Sequence, residues 1–576
     1  VKQHYYFLFL FLTLINYSCS KNRGTGVSMT KEDEDNQLFI SDIKPDSAIK
    51  GISSTYDVTN YDLDIKIHLE SKSVEGQVML KAKAIANVDS LTLVLIDPLI
   101  IDGIRLNKPN GEPLSYRKKG DLITVRFPQT ISSKNEFLLF VSYHGKPGEA
   151  SLKSKKPGIL WLKDKSGKDW VTIKRCRAGL WWPSKSNWTD LPDSMTIKLT
   201  MPGSDLNLIT NGKNTDTLFT KNQKTFIYKI NHAISAAKVV FFAGNYVSVA
   251  DTHTMVNGKT LPITYHLLSP KSDSAIIHFK RSKSYIGTME SIWGEYPWYL
   301  DGYKLIQAPS NNNQYRSAIA YVGNFTNNLF HVEDHEMLHC TAHEWWSTTT
   351  TPPGSFRDVW LIEALATYSE VLYFEKNHTR NITERLLAAY KRKIRNDEPL
   401  YGVSRSRGTK DVFYKGVWVL HSLRQEINND SIFFKALKEF YLDHKTELVK
   451  SSQFKDKITA ATGKDYDWFF RQYLFRKDIP VLEYSYDNNY LYYRWVHVHK
   501  NFNQSKVALI NQFNRAVVGH IYPSPTVQAL LLKDFTSIPY VTNEDRLFKT
   551  KKNAKLGRIY QQQTGTTGKL PESDID

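Results

Sequence analysis

From residue 61 the chain alternates apolar and polar positions without a break, Tyr-Asp-Leu-Asp-Ile-Lys-Ile-His-Leu-Glu over residues 61–70. A period of two sends every apolar side chain to the same face, so the stretch predicts a half-buried strand. Runs of the same kind recur at 91–96, 122–127 and 137–143, separated by Gly, Pro and Asn turns. Residues from about 50 to 250 therefore read as an all-β, sandwich-like domain, with no internal repeat. After about residue 270 the apolar spacing changes. Residues 275–293, 334–346, 360–374, 382–394, 414–427 and 433–444 each predict a helix. Alternation returns at 481–498 and 507–522, as in a short C-terminal β domain, and the polar tail from residue 549 predicts disorder.

At 576 residues the chain is too long for one core, and about three or four domains are expected. The divisions read as an export signal at 1–19, a linker at 20–45 and a β domain at 46–255. A mainly helical domain follows at 256–478, then the C-terminal β domain at 479–548 and the tail at 549–576. A composition of 41% hydrophobic and 23% charged residues is that of an ordinary globular protein. The formal charge of +18 is scattered, without a basic run interleaved with aromatics. A solvated basic surface is expected, and a nucleic-acid partner is not.

The N-terminal residues predict export. Lys2 and His4 precede an apolar run over residues 5–15, and Ser18-Cys19-Ser20 follows. That run is too short to span a bilayer as a helix. Cys19 sits where a bacterial lipoprotein signal is cleaved and lipidated, although Asn16 and Tyr17 depart from the usual lipobox. The expected location is the periplasm or the outer membrane, with a lipid anchor at Cys19 as a membrane attachment. Glycine, threonine and the acidic run over residues 32–35 then read as a flexible tether.

The chemistry is concentrated in His339-Cys340-Thr341-Ala342-His343-Glu344-Trp345-Trp346, followed by Trp360-Leu361-Ile362-Glu363-Ala364. Histidines four residues apart on a helix share one face, so His339 and His343 can reach one ion. Glu363, arriving from the next helix, completes a donor set with one position left open, which suits zinc.

These residues resemble the M1 family of zinc aminopeptidases, whose pattern is His-Glu-x-x-His-x-Trp with a later Trp-Leu-x-Glu-Gly-Phe-Ala-x-Tyr. Further stretches are similar to the family's landmarks and stand in its order between about residues 50 and 500. They are Trp181-Trp182-Pro183-Ser184-Lys185 with Pro192-Asp193-Ser194, Ser317-Ala318-Ile319-Ala320-Tyr321, and Tyr414-Lys415-Gly416 with Leu420-His421-Ser422-Leu423-Arg424. The resemblance implies a multidomain α+β fold. An N-terminal β-sandwich-like domain would precede a thermolysin-like, mainly helical zinc domain and a short C-terminal β domain. It also implies peptides as ligands.

The same comparison marks departures. The family places a glutamate, the general base, directly after the first histidine, and here that position is Cys340. A thiol is about two atoms shorter, and general acid–base groups contribute about 10² to 10⁴ in rate. The oxyanion tyrosine falls on Phe413, with Tyr414 beside it, and losing one such donor costs about 10² to 10³. The glutamate that holds the substrate's amino group falls on Gln314, and the Gln-rich substrate strand reads Lys174-Arg175-Cys176-Arg177, which makes Arg177 a substrate-wall position. Glu363 also lies one residue further from His343 than the family interval, with 348–354 as the segment that would absorb the extra residue.

Two frames stay open. His335-Glu336-Met337-Leu338-His339 is itself a formal His-Glu-x-x-His, with His335 and His339 as ligands and Glu336 as base. It would shift the site by one turn, about 5.4 Å. Two functions also stay open: a degenerate member that binds peptides or a protein partner, and an active or altered aminopeptidase. The remaining cysteines allow two readings as well. Cys176 and Cys340 are either separate buried thiols or, since the resemblance places the N-domain strand opposite the zinc helix, a bonded pair.

Overall fold

The computed structural model describes residues 55–565, apart from 155, 186–189, 203–204, 311–316, 347–355, 403–409, 446–448, 488, 500–501, 503–504 and 534. The export signal with Cys19, the linker, Gln314 and the segment 348–354 lie outside the described residues.

The N-terminal region is β throughout, as the alternation predicts. A seven-stranded sheet runs in the order Lys213–Thr220, Gln223–Ile230, Ser194–Pro202, Tyr56–His68, Ser73–Ala84, Glu136–Gly145, Ile100–Leu106. Its pairs are antiparallel except for Tyr56–His68 beside Ser194–Pro202, where Asn60 faces Ser194 in parallel register. Two four-stranded sheets complete the region. Tyr61, Leu63, Ile65 and Ile67 point inward at every second position and are all buried. The Trp181-Trp182 segment belongs to this core. Trp182 meets the ring of Tyr61 edge-on with centroids 5.0 Å apart, and Tyr143 Oη donates to the Trp181 carbonyl at 2.9 Å.

A mixed sheet then carries the chain toward the site. Tyr246–Thr254 pairs antiparallel with Thr260–Leu268, which pairs in parallel with Tyr303–Gln307, and that strand pairs in parallel with Ile319–Tyr321. This sheet begins at Tyr246, ahead of the boundary expected near 255, because alternation reveals a strand but not the sheet it joins.

Helices cover the sheet. The stretch 275–293 forms two helices, α1 (Asp273–Phe279) and α2 (Ser282–Trp293). Around Arg281 the backbone bonds tighten, Arg281 N to His278 O and Ser284 N to Arg281 O, so the axis turns while apolar spacing continues. Next come α3 (His335–Ala342), α4 (Val359–Asn377), α5 (Arg380–Lys393), α6 (Asp411–Ile427), α7 (Asp430–His444), α8 (Ser451–Thr462) and α9 (Asp467–Leu474). In α4 every residue from Val359 to Phe374 is buried, so this helix is the centre of the domain and not an amphipathic cover. It lies close against α6. A Cβ added at Gly416 would meet Ala364 Cβ at 2.7 Å, so glycine permits the approach. No described helix is long and apolar enough to cross a membrane.

The C-terminal strands form two small sheets, and the aromatics Trp495, Phe502 and Phe548 share one core with Trp468 and Tyr473 of α9. The expected disordered tail is a correction in part. Lys549–Lys552 adds a parallel strand beside Val481–Asp487, and α10 (Leu556–Thr564) packs back through Leu556. All four side chains of that strand are exposed, so backbone pairing forms it and no alternation announces it. The architecture is the multidomain α+β arrangement expected, with a β-rich N-terminal region, a helical region and a C-terminal β region.

Candidate metal centre

Helix α3 is fixed at its start by Asp334. The Asp334 carboxylate accepts from Met337 N at 3.0 Å as the N-cap, and from Tyr321 Oη at 2.6 Å, with His278 Nε2 at 2.7 Å. One carboxylate thus ties the helix to the edge strand and to α1. The helix ends sooner than the sequence suggests, at Ala342. His343 is the C-cap residue, still helical at φ −69° and ψ −11°, with its N–H on His339 O at 3.1 Å. The four-residue spacing is therefore kept to the last turn.

His339 and His343 stand with rings at 87° and Nε2 atoms 3.1 Å apart, and His343 Nε2 lies 3.2 Å from Glu363 Oε2. All three residues are buried. Bonds of about 2.0–2.1 Å to a tetrahedral zinc imply donor–donor edges of about 3.3 Å, close to both distances. The second ring nitrogens are occupied. His343 Nδ1 donates to Trp346 O at 2.6 Å, and His339 Nδ1 lies 2.7 Å from Glu370 Oε1. Those contacts set the tautomer that leaves each Nε2 lone pair facing the common point. The implied metal is zinc, and these donors fit it.

Glu370 follows Glu363 by two turns on the same face of α4. It takes Tyr390 Oη at 2.5 Å and lies 3.3 Å from His335 Nε2. Burial works to raise its carboxyl, but His335 and His339 outweigh that and hold it down at about 2. Burial likewise lowers His343, yet Glu363 outweighs it and the imidazole is raised above its ordinary value. His339 is lowered by burial.

The earlier frame is also assembled in part. His335, His339 and Glu370 form a second group whose ligand atoms lie close enough to hold an ion. Its proposed base, Glu336, is partly exposed, and its Oε1 accepts from Val322 N at 3.0 Å. The two groups share His339, which uses a different ring nitrogen toward each.

The substituted positions are placed as follows. Cys340 is buried in the core of the helical region. Phe413 on α6 sets its ring 6.2 Å from that of His339. Tyr414 faces elsewhere, with its ring 5.6 Å from Tyr390 and its Oη 3.5 Å from Lys393 Nζ, so it does not stand in for a phenol at Phe413. Arg177 is half-buried on the loop after Asp169–Lys174. Cys176 and Cys340 form no disulfide, and the bonded alternative is not realised. The Cys176 thiol donates to Val239 O at 3.3 Å, and burial pushes it up to about 12.

Sequence reasoning missed three groups. Lys238, buried on the N-terminal region, lies near enough for its charge to act to lower both His343 and Cys176. Glu344 is buried, and it accepts from Tyr296 Oη and from Ser317 N at 3.0 Å, fixing the approach of the edge strand. Glu370 could have been found by its seven-residue offset from Glu363. Neither Lys238 nor Glu344 has a pattern that announces it.

Residues 324–473, which include all of these donors, match the peptidase family M1 domain. Over that stretch the chain is similar to an M1 peptidase domain. Solved structures similar to it include an M1 zinc metallopeptidase from Deinococcus radiodurans, at 16% identity and a TM-score of 0.62, over 74% of this chain and 94% of that one. A mutant of that enzyme bound to a Tyr-Ser-Ala substrate is similar at 16% identity and a TM-score of 0.63, over 74% and 95%. At that identity the likeness establishes the fold. No curated protein matches the chain. Within the matched residues the donors sit on α3 and α4, and Phe413 and Gly416 on α6.

Proposed function

We propose that this chain is an exported, zinc-binding M1 protein that engages peptides at the His339–His343–Glu363 centre with weak or no aminopeptidase activity. The observation that carries the reading is an intact donor set beside a missing base, since Cys340 directly follows His339. Zinc, when bound, supplies a Lewis acid that polarises a substrate carbonyl. This chain's residues then have to move the protons. The Cys340 thiol is too short to carry one between water and the leaving amine. Phe413 offers no hydroxyl where an oxyanion would be steadied. Gln314 can accept a hydrogen bond from a substrate ammonium group but brings no charge to it. Peptide binding is supported by the Tyr-Ser-Ala complex of the similar Deinococcus radiodurans enzyme. Export rests on the Lys2-to-Ser20 segment, with Cys19 as a lipid attachment point.

The second reading is an active zinc aminopeptidase that releases N-terminal residues through the His335–Glu336–His339 frame. What favours it is the grouping of His335 and His339 with Glu370. The deciding experiment measures zinc content and aminoacyl-arylamide hydrolysis in the natural chain and in Cys340→Glu. The expected result is one zinc per chain, very weak turnover, and at most partial rescue, because catalytic groups that act as a unit are not additive. High turnover in the natural chain would overturn the degenerate reading.

A further inference from the structure

Helix α3 and its C-cap carry histidines at a repeat of four, His335, His339 and His343, and α4 carries carboxylates at a repeat of seven, Glu363 and Glu370. Both repeats return to nearly the same face of a helix. The two rows therefore meet as a ladder, with His343 beside Glu363 and His335 beside Glu370. His339 stands between them and faces both ways. Its Nε2 lies 3.1 Å from His343 Nε2, and its Nδ1 lies 2.7 Å from Glu370 Oε1. The pattern that builds the zinc centre, two histidines four apart with a carboxylate from α4, thus occurs twice.

The second copy is as well enclosed as the first. His335 is 8% exposed, His339 6% and Glu370 0%. The rings of His335 and His339 are stacked at 22° with centroids 5.7 Å apart, and His335 Nε2 lies 3.3 Å from Glu370 Oε2. His335 is held at the start of α3 by its N–H, which donates to Asn328 Oδ1 at 2.8 Å. One ligand atom from each of the three lies within 4.8 Å of the others, and a tetrahedral ion asks for edges of about 3.3 Å. Burial acts to raise the Glu370 carboxyl, but His335 and His339 outweigh it and keep the group ionised. Two imidazoles and one carboxylate suit zinc and its first-row neighbours, whereas magnesium and calcium prefer an all-oxygen shell.

We propose that His335, His339 and Glu370 form a second, weaker site for zinc or another nitrogen-preferring divalent ion, occupied together with the zinc centre and bridged to it by His339. It rests on the reading of His339, His343 and Glu363 as that centre, because His339 is shared. As the second ion arrives, His339 Nδ1 gives up its proton to water and the ring binds both ions as an imidazolate. Two dications, two carboxylates and one imidazolate leave a single positive charge, the same as the zinc centre alone. The ring and a bond of about 2 Å on each side keep the ions about 6 Å apart, matching the rise of four helical residues. Lys393, close enough to Glu370 for the two charges to act on each other, opposes a further cation and makes this site the weaker one.

The test takes the full chain as purified, with its zinc, through equilibrium dialysis against rising free zinc, read by metal analysis. The expected result is one further equivalent that saturates, and that leaves again in zinc-free buffer while the first equivalent stays. His335→Ala should lose the second equivalent and keep the first, which also shows that the variant has folded. Should the truncation not fold, His335→Gln keeps the volume, removes the ring nitrogens and is read the same way. The proposal is overturned if the natural chain saturates at one zinc, or if the second equivalent survives the His335 substitution. Loss of the first equivalent from the His335 variants would also overturn it, since a single ion would then occupy the earlier frame. A natural chain without any tightly held zinc would instead remove the zinc centre, and the bridged site with it.

Discussion

His339 Nδ1 lies 2.7 Å from Glu370 Oε1, and that contact fixes which nitrogen of His339 faces Glu363 and His343. Glu370 is fully buried and takes the Tyr390 hydroxyl on its other oxygen, so its orientation is set from two sides. A glutamine there keeps the volume but loses the charge that aligns the imidazole. Glu370→Gln is expected to weaken zinc binding about 10- to 100-fold while the fold persists. Competition with a chromogenic chelator measures it, alongside the far-UV spectrum. Unchanged affinity would mean that Glu370 does not orient the ligand.

The two metal frames differ in which histidine accompanies His339. His343 has its Nδ1 fixed by Trp346 O and its Nε2 toward Glu363, whereas His335 offers Nε2 toward Glu370. His343→Ala should lose stoichiometric zinc, and His335→Ala should keep it with at most a several-fold loss. The reverse pattern, read by metal analysis after dialysis, would select the earlier frame.

Gly416 sets how closely α6 approaches α4 beside a donor. An added methyl would sit 2.7 Å from Ala364 Cβ and 3.4 Å from its Cα, and neither atom can swing aside. Gly416→Ala should destabilise by about 1–3 kcal/mol as an overpacking change, and should weaken zinc binding because Ala364 adjoins Glu363. Adding Ala364→Gly should restore part of both losses, less about 1 kcal/mol for glycine inside a helix. Denaturation midpoints of the two variants would show it. No coupling between them would remove the contact as the cause.

Much of this architecture was legible because its periodicities are strong. The strand at Tyr61 and the helix at Trp360 each bury apolar side chains at the spacing their backbone imposes. The metal donors were legible because coordination demands fixed residue types at fixed helical offsets. What escaped depends on contacts between distant segments. Lys238 reaches the field of His343 from the N-terminal region, and no local pattern marks a lysine that tertiary packing brings to a metal centre. The strand Lys549–Lys552 escaped because it forms through backbone bonds alone. The Cys176–Cys340 bond was suggested by an expected proximity of two walls. Cys176 instead turns into its own core, toward the Val239 carbonyl.

Glu483 links acid stability to the C-terminal sheets. It sits opposite Arg494 on the neighbouring strand, accepts from Arg494 Nη2 at 2.8 Å and Asn553 Nδ2 at 3.0 Å, and meets Lys551 Nζ at 3.0 Å. Burial acts to raise its carboxyl, but these partners outweigh it and hold the group down at about 2. Because the folded value lies below the unfolded one of about 4.3, the charged form stabilises the fold above that pH. The contribution fades as pH falls from about 4.3 toward 2 and is absent below. Lys551 is 64% exposed, so its share is screened by salt, while the share of Arg494, only 27% exposed, persists. Glu483→Gln should therefore cost about 1–3 kcal/mol at pH 7 and converge with the natural chain near pH 2. Urea midpoints measured between pH 7 and 2.5 decide it. A difference that stays constant across that range would assign the effect to packing and remove the charge from the account.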